Sequence, residues 1–323
     1  MKIIAECCQN HNGSMYLLRK MVEEASLCGA SHIKMQTIFA RNLTFRPEFE
    51  SGFVNSQGVI QSVRRPFDLE KHRLAKLELS WDDHREFIAY AYDCGLEPLT
   101  TCFTHDTLEN IARCGFREIK IASYDCSSFA LIKRAQKEFD HVYISTGATF
   151  DDEIDYLSSL LTDKTTLMHC VTQYPLVTEN ANMARLEWLR SYTSSVGYSD
   201  HSPDQIETPS LPLFLAVALD AVAIEAHFTL LSPPETKDGL VSIGPVSLKK
   251  LRAFSQLGKN QMYEYIEKLY PDWNSAIGTP SRPLSHQELI NRHYYKGRFS
   301  SPRPMYGQDS VGSSIMNWEP WSE

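Results

Sequence analysis

The 323-residue chain has no long uninterrupted run of apolar residues, so we expect no membrane-spanning helix. It has no excess of positive charge either: the formal net charge is -8, which argues against binding to nucleic acid or to an anionic membrane. Met1 leads directly into a strand-like segment, so we also expect no signal peptide. These absences predict a cytoplasmic protein in which a few local lysines would hold any anionic substrate.

The eight cysteines include no C-x-x-C pair, the spacing typical of zinc sites and redox motifs. Most of them fall in or beside apolar segments, which predicts buried, reduced thiols rather than a disulfide framework. The rest of the composition is ordinary for a globular protein, with 42% hydrophobic and 22% charged residues. A chain of this length can form one large domain with additional segments.

Short apolar segments alternate with helical patterns along most of the chain. The predicted strands are Ile3–Cys7, His32–Gln36, Glu97–Thr101, Glu118–Ile121, Val142–Ser145, Thr165–His169, Ser195–Tyr198 and Val222–Glu225. The predicted helices are Met15–Leu27, Trp81–Asp93, Leu108–Arg113, Phe129–Glu138, Asp151–Leu160, Met183–Ser191, Ile206–Leu219 and Ser247–Ile266. About eight such units predict an α/β fold, the (β/α)8 TIM barrel. A doubly wound open sheet is the alternative, but it usually has a glycine-rich first turn, which residues 9–13 do not provide.

Two regions depart from this alternation. Arg41–Lys76, after the second predicted strand, is a long insertion with no clear period. On a barrel it would lie over the catalytic rim as a candidate lid; the alternative is a disordered surface loop. Beyond about Tyr270, prolines, serines and aromatic residues replace the alternation. We therefore expect a catalytic barrel over residues 1–270 and a short irregular extension, residues 271–323, that forms no independent domain.

Two histidines follow strands of the same design. Gly197-Tyr198-Ser199-Asp200-His201 and Glu225-Ala226-His227-Phe228-Thr229 each continue a short apolar run. If the two runs are adjacent barrel strands, His201 and His227 lie side by side on the rim where barrel chemistry collects. Neutral imidazoles at such a place favour a divalent-metal site with open positions for a substrate. The alternative is a pair of packed or hydrogen-bonding histidines.

Two lysines, Lys34 and Lys120, lie inside otherwise apolar predicted strands. An isolated lysine in such a place is costly unless it is paired. Small hydroxyl residues flank both, which favours a pocket for a dianion such as phosphate. The alternative is that each lysine pairs with Glu6, Glu225 or Asp125 as buried structure.

Several short motifs occur in order from Ile3 to about Leu251. They are Ala5-Glu6 with Asn10-His11-Asn12-Gly13, Lys34-Met35-Gln36-Thr37, Leu77-Glu78-Leu79-Ser80, Lys120-Ile121-Ala122-Ser123, Ser145-Thr146-Gly147, His169-Cys170, Tyr174-Pro175 and the two histidine segments. As a series they resemble the N-acetylneuraminate (sialic acid) synthase family. The resemblance implies a TIM-barrel enzyme that condenses phosphoenolpyruvate with an acylated amino sugar, typically N-acetylmannosamine. The product would be a 3-deoxy-2-keto sugar acid, with release of phosphate.

The resemblance also implies roles for individual residues. The phosphate of phosphoenolpyruvate would be held by Lys34, Thr101, Lys120 and Ser123, and its carboxylate would be oriented by Ser145 and Ser199. The sugar would contact Glu6, Gln36, Tyr174 and Asp238, and His201 and His227 would bind Mn²⁺ or Mg²⁺. The metal or a carboxylate, Glu6 or Asp125, would deliver the water that completes the reaction. A homodimer is the expected assembly.

The chain departs from the family pattern in several places. Ala226 stands where members usually have Lys, and Gly239 where a His usually follows Asp238, so we expect a cation and an imidazole to be missing near the site. Typical members also carry a C-terminal antifreeze-like domain, which we expect this chain to lack. The acceptor stays open between N-acetylmannosamine, its phosphate and a diacetamido sugar. Two other functions stay open as well: a Schiff-base aldolase or lyase that uses Lys120 or Lys34, and a degenerate sugar-phosphate binder.

The extension contains an aromatic and basic stretch, residues 293–299. Arg292, Arg298 or Arg303 could cover the sugar side of the rim, because a planar guanidinium with several donors suits carbonyl and hydroxyl oxygens. Chain tails dock more often than they contribute to catalysis. We therefore favour the alternative that the extension packs on the outer helices or at a dimer interface.

Overall fold

Eight parallel strands close into a barrel in the computed structural model, which describes residues 1–204, 208–302 and 314–321. The strands are β1 (Lys2–Glu6), β2 (His32–Gln36), β3 (Glu97–Cys102), β4 (Glu118–Ile121), β5 (His141–Ser145), β6 (Thr165–Cys170), β7 (Val196–Asp200) and β8 (Ala223–Phe228). Each pairs with the next along the chain, and β8 pairs with β1. The predicted TIM barrel is confirmed, and the open sheet is excluded.

Eight helices alternate with these strands on the outside of the barrel. They are α1 (Met15–Leu27), α2 (Trp81–Asp93), α3 (His105–Cys114), α4 (Phe129–Glu138), α5 (Asp151–Ser158), α6 (Arg185–Arg190), α7 (Leu211–Ala218) and α8 (Pro245–Phe254). Short 3₁₀ turns occupy Ala40–Asn42, Ser123–Asp125, Thr178–Asn180, Pro233–Glu235, Gly239–Val241 and Trp273–Ala276. A two-residue strand, Ser242–Ile243, pairs in parallel with β8. No helix of the described residues is long and apolar enough to cross a membrane.

Two helix predictions need correction. The helix predicted from Ile206 begins at Leu211, with Pro212 in the first turn where the missing N–H costs no hydrogen bond; residues 205–207 lie outside the described residues. The helix predicted over Ser247–Ile266 is two helices, α8 and Lys259–Leu269. The chain is extended at Gly258, whose N–H donates to Gln261 Oε1 at 3.0 Å.

Side chains alternate along each strand between the barrel interior and the surrounding helices. Five of them close the lower interior as an apolar layer: Ile4, Leu99, Tyr143, Met168 and Ala223. Their sequence neighbours, such as Ile3 and Ala5, belong to the main core between strands and helices. Above the apolar layer, toward the carboxyl ends of the strands, the interior becomes polar.

The insertion after β2 is an ordered lid rather than a disordered loop. It holds the helices Glu48–Ser51 and Phe67–Ala75 and a hairpin of Phe53–Val54 with Ile60–Ser62. The cavity at the mouth of the barrel is lined by Val63 and Arg65 from this segment and by Ile38, which lies just before it. The position expected for a lid is therefore the observed one.

The C-terminal extension, expected to be irregular, contains the helix His286–Tyr295, called the tail helix below, and a hairpin of Ser300–Pro302 with Ser314–Met316. It packs on the insertion: the Thr44 N–H donates to the Arg298 carbonyl at 2.9 Å, and the Arg298 side chain pairs with Glu70. The favoured docking on outer helices is observed for the end of the extension, where the Asp106 N–H at the start of α3 donates to Ser301 Oγ and the Leu131 N–H of α4 donates to the Asn317 carbonyl. The extension also covers the rim, because Tyr295 and Arg298 line the cavity. Docking at a dimer interface stays a prediction. Arg303 lies outside the described residues.

Candidate active site

The floor of the polar interior is a cluster of two lysines and two glutamates, Lys34, Lys120, Glu6 and Glu225, each at most 5% exposed. Lys34 pairs with Glu6, lies 3.6 Å from Glu225 Oε2 and donates to Thr101 Oγ1 at 3.0 Å. Lys120 pairs with Glu225 and donates to Ser199 Oγ at 3.3 Å. Buried charges of opposite sign gather here because each alone would be costly. Of the three carboxylates expected as lysine partners, Glu6 and Glu225 take this role and Asp125 does not.

The pKa values in this cluster follow from burial and mutual charge. Burial lowers the pKa of Lys34 to about 7; the charge of Glu225 opposes the shift, and that of Lys120 adds to it. Burial alone would raise the pKa of Glu225, but the charges of Lys120 and Lys34 outweigh it and lower the pKa. Glu225 therefore stays ionised at neutral pH, where Lys34 can exchange a proton.

Above this floor lies a cavity of about 390 Å³ under the insertion and the tail helix. All but one of the predicted site residues line it: Glu6, Lys34, Gln36, Thr101, Lys120, Ser123, Ser145, Tyr174, Ser199, His201, His227 and Asp238. Ser145 Oγ is buried and has no hydrogen-bond partner among the described residues, so it is free for a ligand. Ser199 Oγ instead donates to Glu225 Oε1 at 2.9 Å.

The two histidines lie side by side at the carboxyl ends of adjacent strands, as predicted: His201 directly follows β7, His227 is in β8, and their ring centroids are 5.3 Å apart. His201 Nδ1 donates to the Val171 carbonyl at 3.0 Å, which leaves the Nε2 lone pair free. His227 Nδ1 is buried without a hydrogen-bond partner among the described residues. Burial lowers the pKa of His201 to about 3 and also lowers that of His227, so both rings are neutral at neutral pH. Neutral rings with an unsatisfied nitrogen fit the divalent ion that the sequence predicts.

A family model matches the greater part of the chain. The NeuB family model matches residues 21–262, well over half of the chain. The chain belongs to the NeuB family. The family and enzyme class predicted from the ordered motifs are thereby confirmed.

Curated relatives of this NeuB family member are named as sugar acid synthases. N,N'-diacetyllegionaminic acid synthase of Campylobacter jejuni is 28% identical over 320 residues, covering 94% of this chain and 91% of the relative. Pseudaminic acid synthase of the same species is 27% identical, covering 96% and 86%. N-acetylneuraminate-9-phosphate synthase of Mus musculus is 26% identical, covering 83% and 73%. These names differ in the sugar acid, so they do not select one acceptor for this chain.

Solved structures agree with the fold. N-acetylneuraminic acid synthetase of Leptospira borgpetersenii, in complex with citrate, matches with a TM-score of 0.65 and 25% identity over 90% of each chain. A spore coat polysaccharide biosynthesis protein of Bacillus subtilis matches with a TM-score of 0.68, covering 91% of this chain and 77% of the other; at 21% identity it supports the fold alone.

Several cavity residues were not among the predicted site residues of this NeuB family member. Glu225 was expected only as a possible lysine partner, although it lies two residues before His227 and therefore shares its face of β8. Cys8 lies beyond the end of β1 in a turn with a positive φ, where strand alternation no longer applies, so no sequence signal places it at the site. Arg65 and Lys237 come from segments without a period, and no sequence signal places them at the site.

The two departures from the family pattern have other consequences than expected. Ala226 alternates with Glu225 and His227 and belongs to the core outside the barrel, so its small side chain leaves no missing cation in the cavity. A Cβ at Gly239 would lie 2.3 Å from the Pro233 carbonyl oxygen. The loop after β8 therefore excludes a side chain at 239 as it stands, which accounts for the missing imidazole.

Asp125 is the predicted catalytic residue that the structure does not bring to the cavity. The 3₁₀ turn Ser123–Asp125 directs its carboxylate toward the extension, where Oδ1 accepts from Ser128 Oγ and Asn317 Nδ2, both at 2.8 Å. It lines a smaller pocket behind the cavity instead. The geometry therefore assigns Asp125 to anchoring the extension and leaves Glu6 as the candidate for the catalytic carboxylate.

This anchoring role predicts the effect of Asp125→Asn, which keeps an acceptor oxygen and removes the charge. Burial raises the pKa of Asp125 from 3.8 to about 6, so the folded state holds this proton more tightly and stability falls as pH rises from about 4 to 6. We expect Asp125→Asn to remove this fall and to be more stable at pH 7, by up to about 3 kcal/mol. Denaturant unfolding of both proteins between pH 4 and 7 measures the difference. A large loss of turnover with unchanged stability would restore the catalytic assignment.

Proposed function

We propose that the chain catalyses the metal-dependent condensation of phosphoenolpyruvate with an acylated amino sugar resembling N-acetylmannosamine, giving a sialic-acid-type 3-deoxy-2-keto sugar acid and phosphate. The observation that carries the proposal is one cavity with two different ends. Two buried lysines and the unpartnered Ser145 hydroxyl group lie at its floor, and two neutral histidines lie at its rim. The first end suits a small phosphorylated carboxylate, and the second suits a Lewis acid beside a carbonyl group.

The floor would bind phosphoenolpyruvate through Lys34, Lys120, Thr101 and Ser123 on the phosphate and through Ser145 and Ser199 on the carboxylate. When Lys34 is protonated, the two lysines and the glutamates Glu6 and Glu225 leave the floor without net charge. A bound dianion therefore needs a neighbouring cation or a proton on a carboxylate. A divalent ion held by His201 and His227 at the rim would supply this compensation.

His201 and His227 would hold the divalent ion, Mn²⁺ or Mg²⁺ by family resemblance. When bound there, the ion supplies Lewis-acid polarisation of the aldehyde oxygen of the open-chain sugar. Gln36, Tyr174 and Asp238 line the acceptor side of the cavity and would orient the sugar for attack. The histidines stay unprotonated at neutral pH because both are buried.

The proposed bond changes require a group that accepts a proton, and Glu6 is the candidate. C3 of phosphoenolpyruvate forms a bond to the aldehyde carbon, which leaves positive charge at C2. The aldehyde C=O opens at the same time, and its oxygen takes up a proton to become a hydroxyl group. Water adds to C2 and gives a proton to a carboxylate. The C–O bond to phosphate then breaks while the new C2 hydroxyl group loses its proton, which gives the ketone and inorganic phosphate. The Glu6 carboxylate lines the cavity beside Lys34, within reach of both ends, and would accept this proton.

The direct test is release of phosphate from phosphoenolpyruvate with a panel of acylated amino sugars, with and without Mn²⁺ or Mg²⁺. Metal-dependent phosphate release that requires one of the sugars is the expected result, with the nine-carbon product identified by mass. Binding of both ligands without phosphate release under any condition would contradict the proposal and favour a degenerate binder.

The acceptor end of the cavity carries an excess of positive charge. Arg65 and Lys237 line it and have no ion-pair partner within 4.0 Å among the described residues, whereas Arg73 and Arg298 share Glu70. Partial burial and the charges of Arg73 and Arg298 lower the pKa of Lys237 to about 8, although the residue keeps exposed surface. Of the three acceptors that the resemblance leaves open, the phosphorylated sugar suits this end best.

The charge excess predicts a selective effect of Arg65→Gln combined with Lys237→Met. Because each cation is partly screened by solvent, we expect the pair to lower kcat/KM for a phosphorylated acceptor by about tenfold. The KM for phosphoenolpyruvate and the kcat/KM for the same sugar without phosphate should stay unchanged. Equal losses with both sugars would exclude a phosphate site at this end.

One observation favours a second function. The lowered pKa of Lys34 is a property of Schiff-base lysines, so an aldolase or lyase would use this residue. Borohydride treatment in the presence of pyruvate distinguishes the two functions, because the proposed synthase forms no imine. Reduction should leave activity and mass unchanged; a covalent adduct on Lys34 or Lys120 would support the aldolase.

The compartment and the assembly stay predictions. All eight cysteines are free, which is consistent with the expected reducing cytoplasm. The homodimer expected from the family resemblance is tested by light scattering of the purified protein.

A further inference from the structure

A cysteine and an aspartate stand beside one of the proposed metal ligands. One atom from each of Cys8, His227 and Asp238 (the Cys8 Sγ, a ring nitrogen and a carboxylate oxygen) lie within 4.8 Å of one another. The Cys8 thiol donates to Asp238 Oδ2 at 2.9 Å. All three residues line the cavity. This spacing allows a single ion to bond to all three with small side-chain movements.

The backbone holds the Cys8 thiol in this place. Cys8 follows β1 with a φ of 47°, a conformation that costs a non-glycine residue free energy and persists only where the surroundings impose it. Its N–H donates to Glu6 Oε1 at 2.6 Å, and the Cys7 N–H donates to the Lys34 carbonyl at 2.8 Å. Cys7 consequently points into the core outside the barrel, and Cys8 borders the cavity.

Asn10 connects the turn after β1 to the loop after β8. Its Nδ2 donates to the Phe228 carbonyl at 2.9 Å and to Ser242 Oγ at 3.0 Å, and its Oδ1 accepts from Thr236 Oγ1 at 2.7 Å. Ser242 Oγ in turn donates to the Asp238 carbonyl at 2.7 Å. Cys8 and Asp238 are therefore held against each other by two braced loops rather than by their own contact alone.

His227 provides an independent sign of a ligand at this place. The residue is only 6% exposed, and its Nδ1 is buried without a hydrogen-bond partner among the described residues. A buried polar atom without a partner is costly, and a bound ion or its coordinated water would relieve that cost. One of its ring nitrogens also lies in the group formed with Cys8 and Asp238.

We propose that Cys8, as a thiolate, and Asp238 complete the coordination of the divalent ion that His201 and His227 bind. This inference rests on the metal dependence in the proposed function. When the ion binds, a metal–sulfur bond forms, the S–H bond breaks and its proton passes to solvent. The Asp238 carboxylate exchanges its hydrogen bond from the thiol for a bond to the ion.

A thiolate changes the metal preference of the site. Carboxylate and water suit Mn²⁺ and Mg²⁺, whereas thiolate favours softer ions such as Zn²⁺, Co²⁺, Fe²⁺ and Cd²⁺. We therefore expect this chain to bind Co²⁺ or Cd²⁺ more tightly than Mg²⁺. Removal of Cys8 should reduce that preference.

The experiment titrates metal-free full-length protein with Co²⁺ and records the sulfur-to-cobalt charge-transfer absorption in the near ultraviolet, with calorimetry for affinity. Cys8→Ser should lose this absorption and bind Co²⁺ about 100-fold more weakly, since outer-sphere partners alone contribute 10–100-fold. Cys7→Ala, the adjacent thiol in the core, and Cys170→Ala, the other cavity thiol, should keep the absorption. X-ray absorption of the wild-type Co²⁺ protein should contain a sulfur neighbour, a readout that requires no variant.

The outcomes separate this inference from the proposed function. Co²⁺ binding without a sulfur neighbour, or an absorption band that survives in Cys8→Ser, would overturn the role of Cys8 and leave the metal-dependent synthase intact. Phosphate release that depends on Mg²⁺ in a protein with no affinity for Co²⁺ would do the same. Phosphate release unaffected by chelators, together with no metal binding, would overturn both.

Discussion

Substitution of either rim histidine, His201→Ala or His227→Ala, is expected to lower kcat by about 10³-fold or more while the fold survives. The proposed Lewis acid supplies several kcal/mol of transition-state stabilisation, and each ring provides one of its ligands. Chelation with EDTA should inactivate the wild-type protein to a similar extent. Addition of Mn²⁺ or Mg²⁺ should restore the wild type but not the variants. Steady-state phosphate release measures all four conditions.

Two measurements separate a lost metal from a damaged barrel. His169→Asn is the matched control, because His169 is a fully buried histidine at the end of β6 whose Nε2 donates to the Ala181 carbonyl at 2.7 Å and which does not line the cavity. It should keep chelator-sensitive activity. A metal that binds only the folded state also raises thermal stability, by about 2.7 kcal/mol at a concentration of 100 Kd. The wild type should gain this stability, and His201→Ala should not. Full activity in chelator or in either histidine variant would exclude the Lewis-acid role.

The barrel could be predicted from sequence because its signals are local and repeated. Short apolar strands alternate with helices, and side-chain alternation assigns each strand residue to one face. Lys34 and Gln36, two residues apart on β2, share a face by this alternation, and both line the cavity. His201 and His227 were expected side by side because consecutive strands of a barrel are neighbours. In the structure, β7 and β8 pair with each other. The same local signals did not predict where one helix ends and the next begins. The apolar pattern over Ser247–Ile266 predicts one helix, but residues 255–258 end α8 and cap the helix Lys259–Leu269.

The insertion after β2 and the C-terminal extension together cover the cavity. Their positions could be predicted only in part because they depend on contacts between segments that are distant in sequence. Arg298 reaches the cavity through its pair with Glu70 and through the bond between the Thr44 N–H and its own carbonyl. No periodicity encodes contacts of this kind. The prediction that Asp125 lies in the active site is wrong for a related reason. Asp125 follows β4 closely, but a 3₁₀ turn and a hydrogen bond from Asn317 turn its carboxylate toward the extension.

Replacement of the floor lysines, Lys34→Met and Lys120→Met, is expected to weaken phosphoenolpyruvate binding about tenfold or more each and acceptor binding far less. A hydrogen bond to a charged group contributes about 1.5–3 kcal/mol, and about 1.4 kcal/mol corresponds to tenfold in affinity. The acidic chain offers no general basic surface to compensate. Calorimetry with phosphoenolpyruvate alone measures its Kd, and kinetics at saturating phosphoenolpyruvate give the KM for the acceptor.

The ion pairs on the floor complicate these substitutions and also provide their control. Removal of Lys120 alone takes away the nearer cation of the buried Glu225 and leaves it only Lys34, at 3.6 Å; breaking a buried ion pair typically costs about 3–5 kcal/mol of stability. Lys120→Met/Glu225→Gln and Lys34→Met/Glu6→Gln remove both charges of a pair and should recover most of that stability. If the lysines bind the phosphate, these double variants stay weak for phosphoenolpyruvate even though they fold as stably as the wild type. If phosphoenolpyruvate affinity returns with stability, the lysines are structural partners of the two glutamates, and the phosphate site must be sought elsewhere in the cavity.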